Sequence, residues 1–438
     1  MHRDATGYAA TGEARSMAAL DCFAEDLLGY RSGIGHIVAA AEADPSCSLA
    51  NAWAGALWLL TETRKGHSRA GRFLDRAEAA AATDRERIAT ASIRSWHRGD
   101  TAAALALCAE SAARFPRDLV AVKLGQYHAL NRGDAPALLR LPLLVAAANE
   151  TVPWLHGLLA FGYEECHLLR EAERHARRAL ALRRDEPWAQ HALAHVMLAE
   201  DRAEEGIAFL TEVADTWEGR NPFVVTHNWW HLTLFLLDRD RTEEALALYD
   251  SRVFALEPSW GQIQAGAVSL LARLELHGVD VGDRWLRLAP HLATADQRHI
   301  EPFIDLHLVF GLARAAHPEV AVVLAGIAER AAAANPATRT AWAEVALPAA
   351  RALAAFAFDE CEACVRALSP VQPRLHEIGG SHAQRDLFEQ ILIAALLRTG
   401  RLAQAQRMLA ARQALNPQVP LTRRLLDRVL AAAGVPRA

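Results

Sequence analysis

Apolar residues recur at helical spacing along most of this chain. From Ala172 to Leu182 and from Glu243 to Phe254 they fall at i, i+3 and i+4, a stripe on one helix face. No segment alternates apolar and polar residues between hairpin-turn signals, as a half-buried strand would. The helical pattern breaks near 134–153, 255–262, 278–298 and 365–380, where Pro and Gly gather, and these stretches are read as irregular. Ser381-His-Ala-Gln384 has the form of a capping box and predicts that a helix begins there. The pattern predicts an all-α fold.

The helices repeat. Gly99-Asp100 is followed by Ala104 and by Phe115-Pro116. Gly133-Asp134 with Leu138, His167 with Ala172, and Asp201 with Gly206 continue the series at a period of about 34 residues. Gly400, Ala405 and Pro417 keep the same internal spacing near the C-terminus. A turn residue, then a small residue, then a proline is the pattern of tetratricopeptide (TPR) hairpins. The turn needs Gly or Asp, two helices approach closely at the small residue, and Pro ends the second helix. One hairpin cannot bury its apolar face alone, so neighbours stack. The expected architecture is therefore a TPR-like helical-hairpin repeat superhelix (an α-solenoid), either open or closed on itself. It is read as one domain over 1–438, with 1–20 a loosely ordered N-terminal segment.

The repeat register assigns side chains to the concave face, which the first helix of each pair lines. One repeat presents Lys123 and Tyr127; the next presents Trp154, Gly157, Phe161, Glu164 and Glu165. Trp188, His191 and His195 follow, then His227 with either Trp230 or His231. His191/His195 and His227/His231 are each spaced i, i+4, so both rings of a pair share a helix face. His299, Phe303 and His307 share another face, with Asp305 beside them.

The strings that carry these residues resemble a known family. His191-Ala-Leu-Ala-His195, His227-Asn-Trp-Trp-His231, Tyr249-Asp250, Gly282-Asp-Arg284-Trp285, Asp305-Leu-His307 and Gly379-Gly-Ser-His-Ala-Gln-Arg-Asp386 run in the order of the tetratricopeptide repeat protein 38 family and its bacterial relatives. The resemblance extends from near Asp44-Pro45 to Pro417. Leu198-Ala199 stand where the family has Glu-Met, which removes a carboxylate from that point. The resemblance implies a TPR-like fold and no particular reaction.

Composition narrows the function classes. The chain carries 47 basic and 52 acidic residues, a net charge of −5, without blocks of like charge. That balance is read as excluding nucleic acid and membrane surfaces as partners. No apolar run approaches the roughly 20 residues of a membrane span. The N-terminus shows no secretory signal, so the six cysteines are read as reduced thiols in a cytoplasmic protein. Cys361-Glu-Ala-Cys364 is read as two buried thiols on a helix. Lysine occurs only at 65 and 123, whereas histidine occurs 19 times.

The clustered histidines admit two chemistries. His191, His195, His227 and His231 suit a transition metal such as zinc or iron. With Glu165 and His307 the same four suit acid–base catalysis. They are equally compatible with histidines hydrogen-bonded in a packed polar interior. Tyr127, Trp154, Phe161, Trp188 and Trp230 are candidate walls for a ligand. Lys123, Arg284 and Arg385 are candidate clamps for a carboxylate or phosphate, with Asp305 as an orienting acid. The reading favoured here is a pocket that binds a small molecule, with hydrolase, lyase or isomerase chemistry if it reacts. A homodimer is compatible with it, and the cofactor is either absent or one metal ion. The alternative is a non-catalytic TPR scaffold for a peptide or protein.

Overall fold

The computed structural model describes residues 1–335, 338–415 and 419–435. Its fold is all-α, built from TPR-like helical hairpins, with one two-residue strand pair among the described residues. The chain divides into two compact units: Met1–Leu193 with Asp215–Val224, and Ala194–Ala214 with Val225–Ala438. In the first unit Ser48–Leu60 pairs with Arg64–Ala80, and Asp84–His97 with Thr101–Arg114. Leu119–Asn131 then pairs with Ala135–Leu144, and Pro153–Glu165 with Leu169–Leu182. In the second unit Gly261–Leu276 pairs with Arg284–Ala293, and Pro302–Arg314 with Glu319–Ala332. Leu347–Ala357 with Cys361–Leu368 and His382–Arg398 with Leu402–Leu415 complete the series.

The repeat marks do what their chemistry requires. Gly99, Gly133, His167, Asp201 and Gly400 all turn the chain with positive φ, between 57° and 78°. His167 and Asp201 adopt the left-handed turn that glycine occupies elsewhere, which explains why the register survives their substitution. Ala104, Leu138, Ala172 and Ala405 are buried. Gly206 has the Phe235 ring where a Cβ would be. Pro417 lies outside the described residues. Helix starts are capped by side chains: Asp100, Asp118 and Asp134 each accept a backbone N–H of the first turn. Thr83/Glu86 and Ser381/Gln384 form capping boxes, the second where the sequence predicts it.

Two stretches read as irregular are helical. Ala135–Leu144 and Arg284–Ala293 hold Pro142 and Pro290 inside them. Each proline removes one amide donor. It falls in the last turns, where Leu138 and Leu141, or Leu288 and Leu292, are already buried and hold the helix. The N-terminal segment is also ordered, contrary to expectation. His2–Arg3 pairs with Ala9–Ala10. Buried Asp4 accepts from Arg85 at 2.5 Å, and Thr11 donates its N–H and hydroxyl to Glu86, each at 2.6 Å. These anchors are supplied by distant residues, so local composition does not reveal them.

Burial separates the two helices of a hairpin. Leu169–Leu182 buries a stripe of Ala172, Ala176 and Ala179, whereas Pro302–Arg314 is buried continuously from Pro302 to Ala313. First helices are therefore enclosed nearly all round, and polar side chains on them must find partners inside. All six cysteines are free thiols, and Cys361 and Cys364 are buried. No described helix is long and apolar enough to cross a membrane.

Candidate functional site

Three histidines of the second unit converge. His195 comes from helix Pro187–Ala199, and His227 and His231 come one turn apart from helix Pro222–Asp238. His195 Nε2 lies 3.1 Å from His231 Nε2, and His231 Nε2 lies 3.3 Å from His227 Nε2. All three are buried. A ring nitrogen carries either one hydrogen or one lone pair, so His231 Nε2 makes one well-aligned hydrogen bond, not two. Burial pushes the His227 ring down to about 3 and the His231 ring well below its ordinary value, and His195 adds to both shifts. Both shifts favour the neutral imidazole, the form that ligates metals, at His227 and His231. His191 stands one turn before His195 in the same helix, Pro187–Ala199. Its ring stacks on Trp188 at 4.4 Å.

The wall of the cluster is aromatic and cationic. Trp230 is fully buried and stacks on His227 at 5.4 Å. The Arg273 guanidinium lies 5.8 Å from the Trp230 ring. Arg273 donates to Asp386 at 3.0 Å and to the Ala383 carbonyl at 2.7 Å. Asp386 also accepts from Arg412, and from Gln390 at 2.5 Å. These cations hold its carboxyl well below the usual range against the cost of burial. Arg273 also disfavours protonation of His231 and His307.

His307 is a second buried imidazole of this unit. Its Nδ1–H donates to the Phe303 carbonyl at 2.8 Å, so Nε2 carries the lone pair. That Nε2 is buried and has no hydrogen-bond partner. The ring lies between Phe303 at 4.5 Å and Phe388 at 5.2 Å. Burial brings its protonation down to about 4.

The structure brings some sequence-predicted residues together and commits others elsewhere. His195, His227, His231 and Trp230 form one cluster, so both members of the open choice, Trp230 and His231, lie in it. Glu165 is buried, and its carboxylate lies within 4.8 Å of that of Glu164. Arg284, expected as a ligand clamp, is held by Asp250 at 3.0 and 2.5 Å. Arg385, expected as another, donates to the Gly380 carbonyl five residues back. Asp305 accepts the backbone N–H of His299 at 2.9 Å and its ring Nδ1 at 2.7 Å. Burial raises the Asp305 carboxyl despite this partner.

In the first unit Trp154 donates its indole N–H to Glu25 at 3.2 Å, and Tyr127 its hydroxyl to Glu62 at 3.0 Å. Phe161 packs edge-on against Trp188 at 4.8 Å. Lys123 is half-buried and donates to the Tyr30 hydroxyl at 2.7 Å. Each of these residues has a partner within the first unit. A cleft of about 450 Å³ in the same unit is lined by Arg31, Asp185 and Arg220 among others and by none of the predicted site residues.

Sequence reasoning missed Arg273, the partners of Asp386, and also Glu186 and Tyr30. A lone Arg inside the apolar run Ala265–Leu274, and an acid immediately before Pro187, were visible signals for the first and third. Nothing local marks Tyr30 or the pairing of Asp386.

No family model matches the chain. It is similar to solved structures of human IFIT1, one a dimer with m7Gppp-AAAA: 13% identity over 84% of this chain and 87% of that one, with a TM-score of 0.41. It is also similar to the TPR domain of P58(IPK), at 12% identity over 80% of this chain and 99% of that one, TM-score 0.21. A third likeness is to Naa15/Naa10 bound to HypK-THB, at 11% identity over 96% and 68%, TM-score 0.26. Likenesses this remote bear on fold alone. They nevertheless correct one expectation. The expectation that nucleic acid is excluded as a partner is withdrawn: the human IFIT1 structure is a dimer with m7Gppp-AAAA.

Proposed function

We propose that His195, His227 and His231 bind one transition-metal ion, and that this centre serves the binding and transformation of a small molecule. The Nε2 separations of 3.1 and 3.3 Å carry the reading. Nitrogen ligands at 2.0–2.1 Å from a tetrahedral zinc lie about 3.3 Å apart. That match supports a ligand role for the three imidazoles, because hydrogen bonding alone satisfies only one of the two contacts well. Three protein ligands leave a fourth position open, the arrangement of catalytic rather than structural zinc. A metal there supplies an activated water or a polarised carbonyl, which fits hydrolysis, elimination or isomerisation.

The small-molecule part rests on His307. A buried acceptor without a donor is costly unless a ligand supplies one. The same motifs, His227-Asn-Trp-Trp-His231 above all, support a place among bacterial relatives of the tetratricopeptide repeat protein 38 family. Six free thiols support a cytoplasmic setting.

The test is elemental analysis of the full chain purified without a His-tag or chelator. The expected result is near-stoichiometric zinc, iron or a similar metal. It should fall below about a tenth in His195→Ala or His227→Ala at unchanged helicity, and persist in His191→Ala. Metal-free wild type after metal-replete growth overturns the metal reading. Retention of metal by both of the first two variants overturns the ligand assignment.

A further inference from the structure

The first unit holds a separate group of reactive side chains around Lys123. Its amine lies 4.1 Å from the centroid of the Trp188 ring and 4.5 Å from that of Tyr30, and those two rings stack at 5.3 Å. It donates to the Tyr30 hydroxyl at 2.7 Å. Among the described residues no carboxylate forms an ion pair with it. Glu186, buried beneath the first turn of helix Pro187–Ala199, accepts the Ala189 N–H and influences both Lys123 and Tyr30 through space. Gly157 lets that carboxyl in, because a Cβ at 157 would stand 2.7 Å from a Glu186 oxygen.

We propose that Lys123 is a nucleophilic amine that forms an imine with a small uncharged aldehyde or ketone held against the Trp188 and Tyr30 rings. A lysine kept only for structure would be expected to face a carboxylate. This one faces two π-faces and a phenol. The rings favour the ammonium by about 0.5–2 kcal/mol. Burial works in the opposite direction and prevails, bringing the amine down to about 7, while it pushes the Glu186 carboxyl up to about 8. Part of the amine population is thus unprotonated at neutral pH, and a protonated acid lies nearby.

The step balances without a co-reactant. The amine nitrogen adds to the carbonyl carbon, and one of its protons passes to the carbonyl oxygen, with the Tyr30 hydroxyl as relay. The carbinolamine then loses that oxygen as water together with the second nitrogen-borne proton, leaving C=N.

The sequence supplies its own control, since Lys65 is the only other lysine and is exposed. The full-length wild-type protein is treated with acetaldehyde and sodium cyanoborohydride at pH 7, and the ethylated peptides are followed over time by mass spectrometry. Lys123 should be modified about 10-fold faster than Lys65, or more. Lys123→Met should lose the fast phase and leave the slow modification of Lys65 and the N-terminus unchanged. Modification of Lys123 no faster than Lys65, or a fast phase that survives in Lys123→Met, overturns the proposal.

Discussion

His195 and His231 meet Nε2 to Nε2 at 3.1 Å, although 36 residues separate them in sequence. Helix geometry places His227 and His231 together, but only the packing of two consecutive first helices brings His195 to them. Ligand binding to the folded state alone stabilises it by about 2.7 kcal/mol when the free ligand is at 100 times its Kd. Metal-stripped protein titrated with zinc should therefore melt at a higher temperature, with a shift that grows with the logarithm of zinc concentration. His231→Ala should abolish that dependence. A variant that still responds like wild type would show that the zinc acts elsewhere.

Much of this was legible in the sequence, for identifiable reasons. Turn and small-residue positions recur because each hairpin solves the same packing problem, so Gly99, His167 and Asp201 announce one another. Helix capping by Ser381 is local and was readable. The repeat register was readable too, and His195, His227 and Trp230, which it grouped, lie in one cluster with His231. What failed was partner choice. Arg284 looks like a ligand clamp until Asp250, 34 residues earlier, is seen to hold it. Asp386 looks paired with its neighbour Arg385, yet its partners are Arg273 and Arg412, from other helices. Charges on buried first helices choose partners across the stack, where sequence distance carries no information.

That cross-helix network yields a stability prediction. Removing one member of a buried, hydrogen-bonded ion pair costs about 3–5 kcal/mol, because the remaining charge loses its compensation. Asp386→Ala leaves both Arg273 and Arg412 without their shared acceptor. Urea denaturation should show a loss of that size in the transition reporting on the second unit. The exposed pair Arg87–Asp84 is the contrast: Arg87→Ala should leave the midpoint unchanged. Equal effects from the two variants would mean that the Asp386 network is solvated in solution.

The close approach at Gly206 gives a second. A Cβ there would overlap the Phe235 ring, which is fully buried. Gly206→Ala gains about 1 kcal/mol of helix propensity but forces the ring aside, and overpacking of this kind costs about 1–3 kcal/mol. The net expectation is a destabilised second unit. Phe235→Leu combined with Gly206→Ala should recover part of the loss by making room. Stabilisation by Gly206→Ala alone would show that the two helices have slack at this crossing.

The acid response of the first unit follows from Asp44. Its Oδ2 accepts the Glu13 N–H at 2.7 Å and the Ser16 hydroxyl at 2.5 Å, and its Oδ1 accepts the Ser46 hydroxyl at 2.6 Å. Burial alone would raise this carboxyl, but those donors outweigh it and hold the group at about 2. A carboxyl lowered in the folded state stabilises that state fully above its unfolded value near 4. The contribution fades as pH falls from about 4 toward 2, where both states take up the proton. The shift corresponds to about 2 kcal/mol at neutral pH. Asp44→Asn should therefore be less stable than wild type by about that amount at pH 7, and the gap should narrow steadily below pH 4. Urea melts of both proteins at pH 7, 4.5 and 3.5 measure it. A gap that stays constant over this range would show that the loss comes from altered packing around Glu13 and Ser16, not from the charge on Asp44.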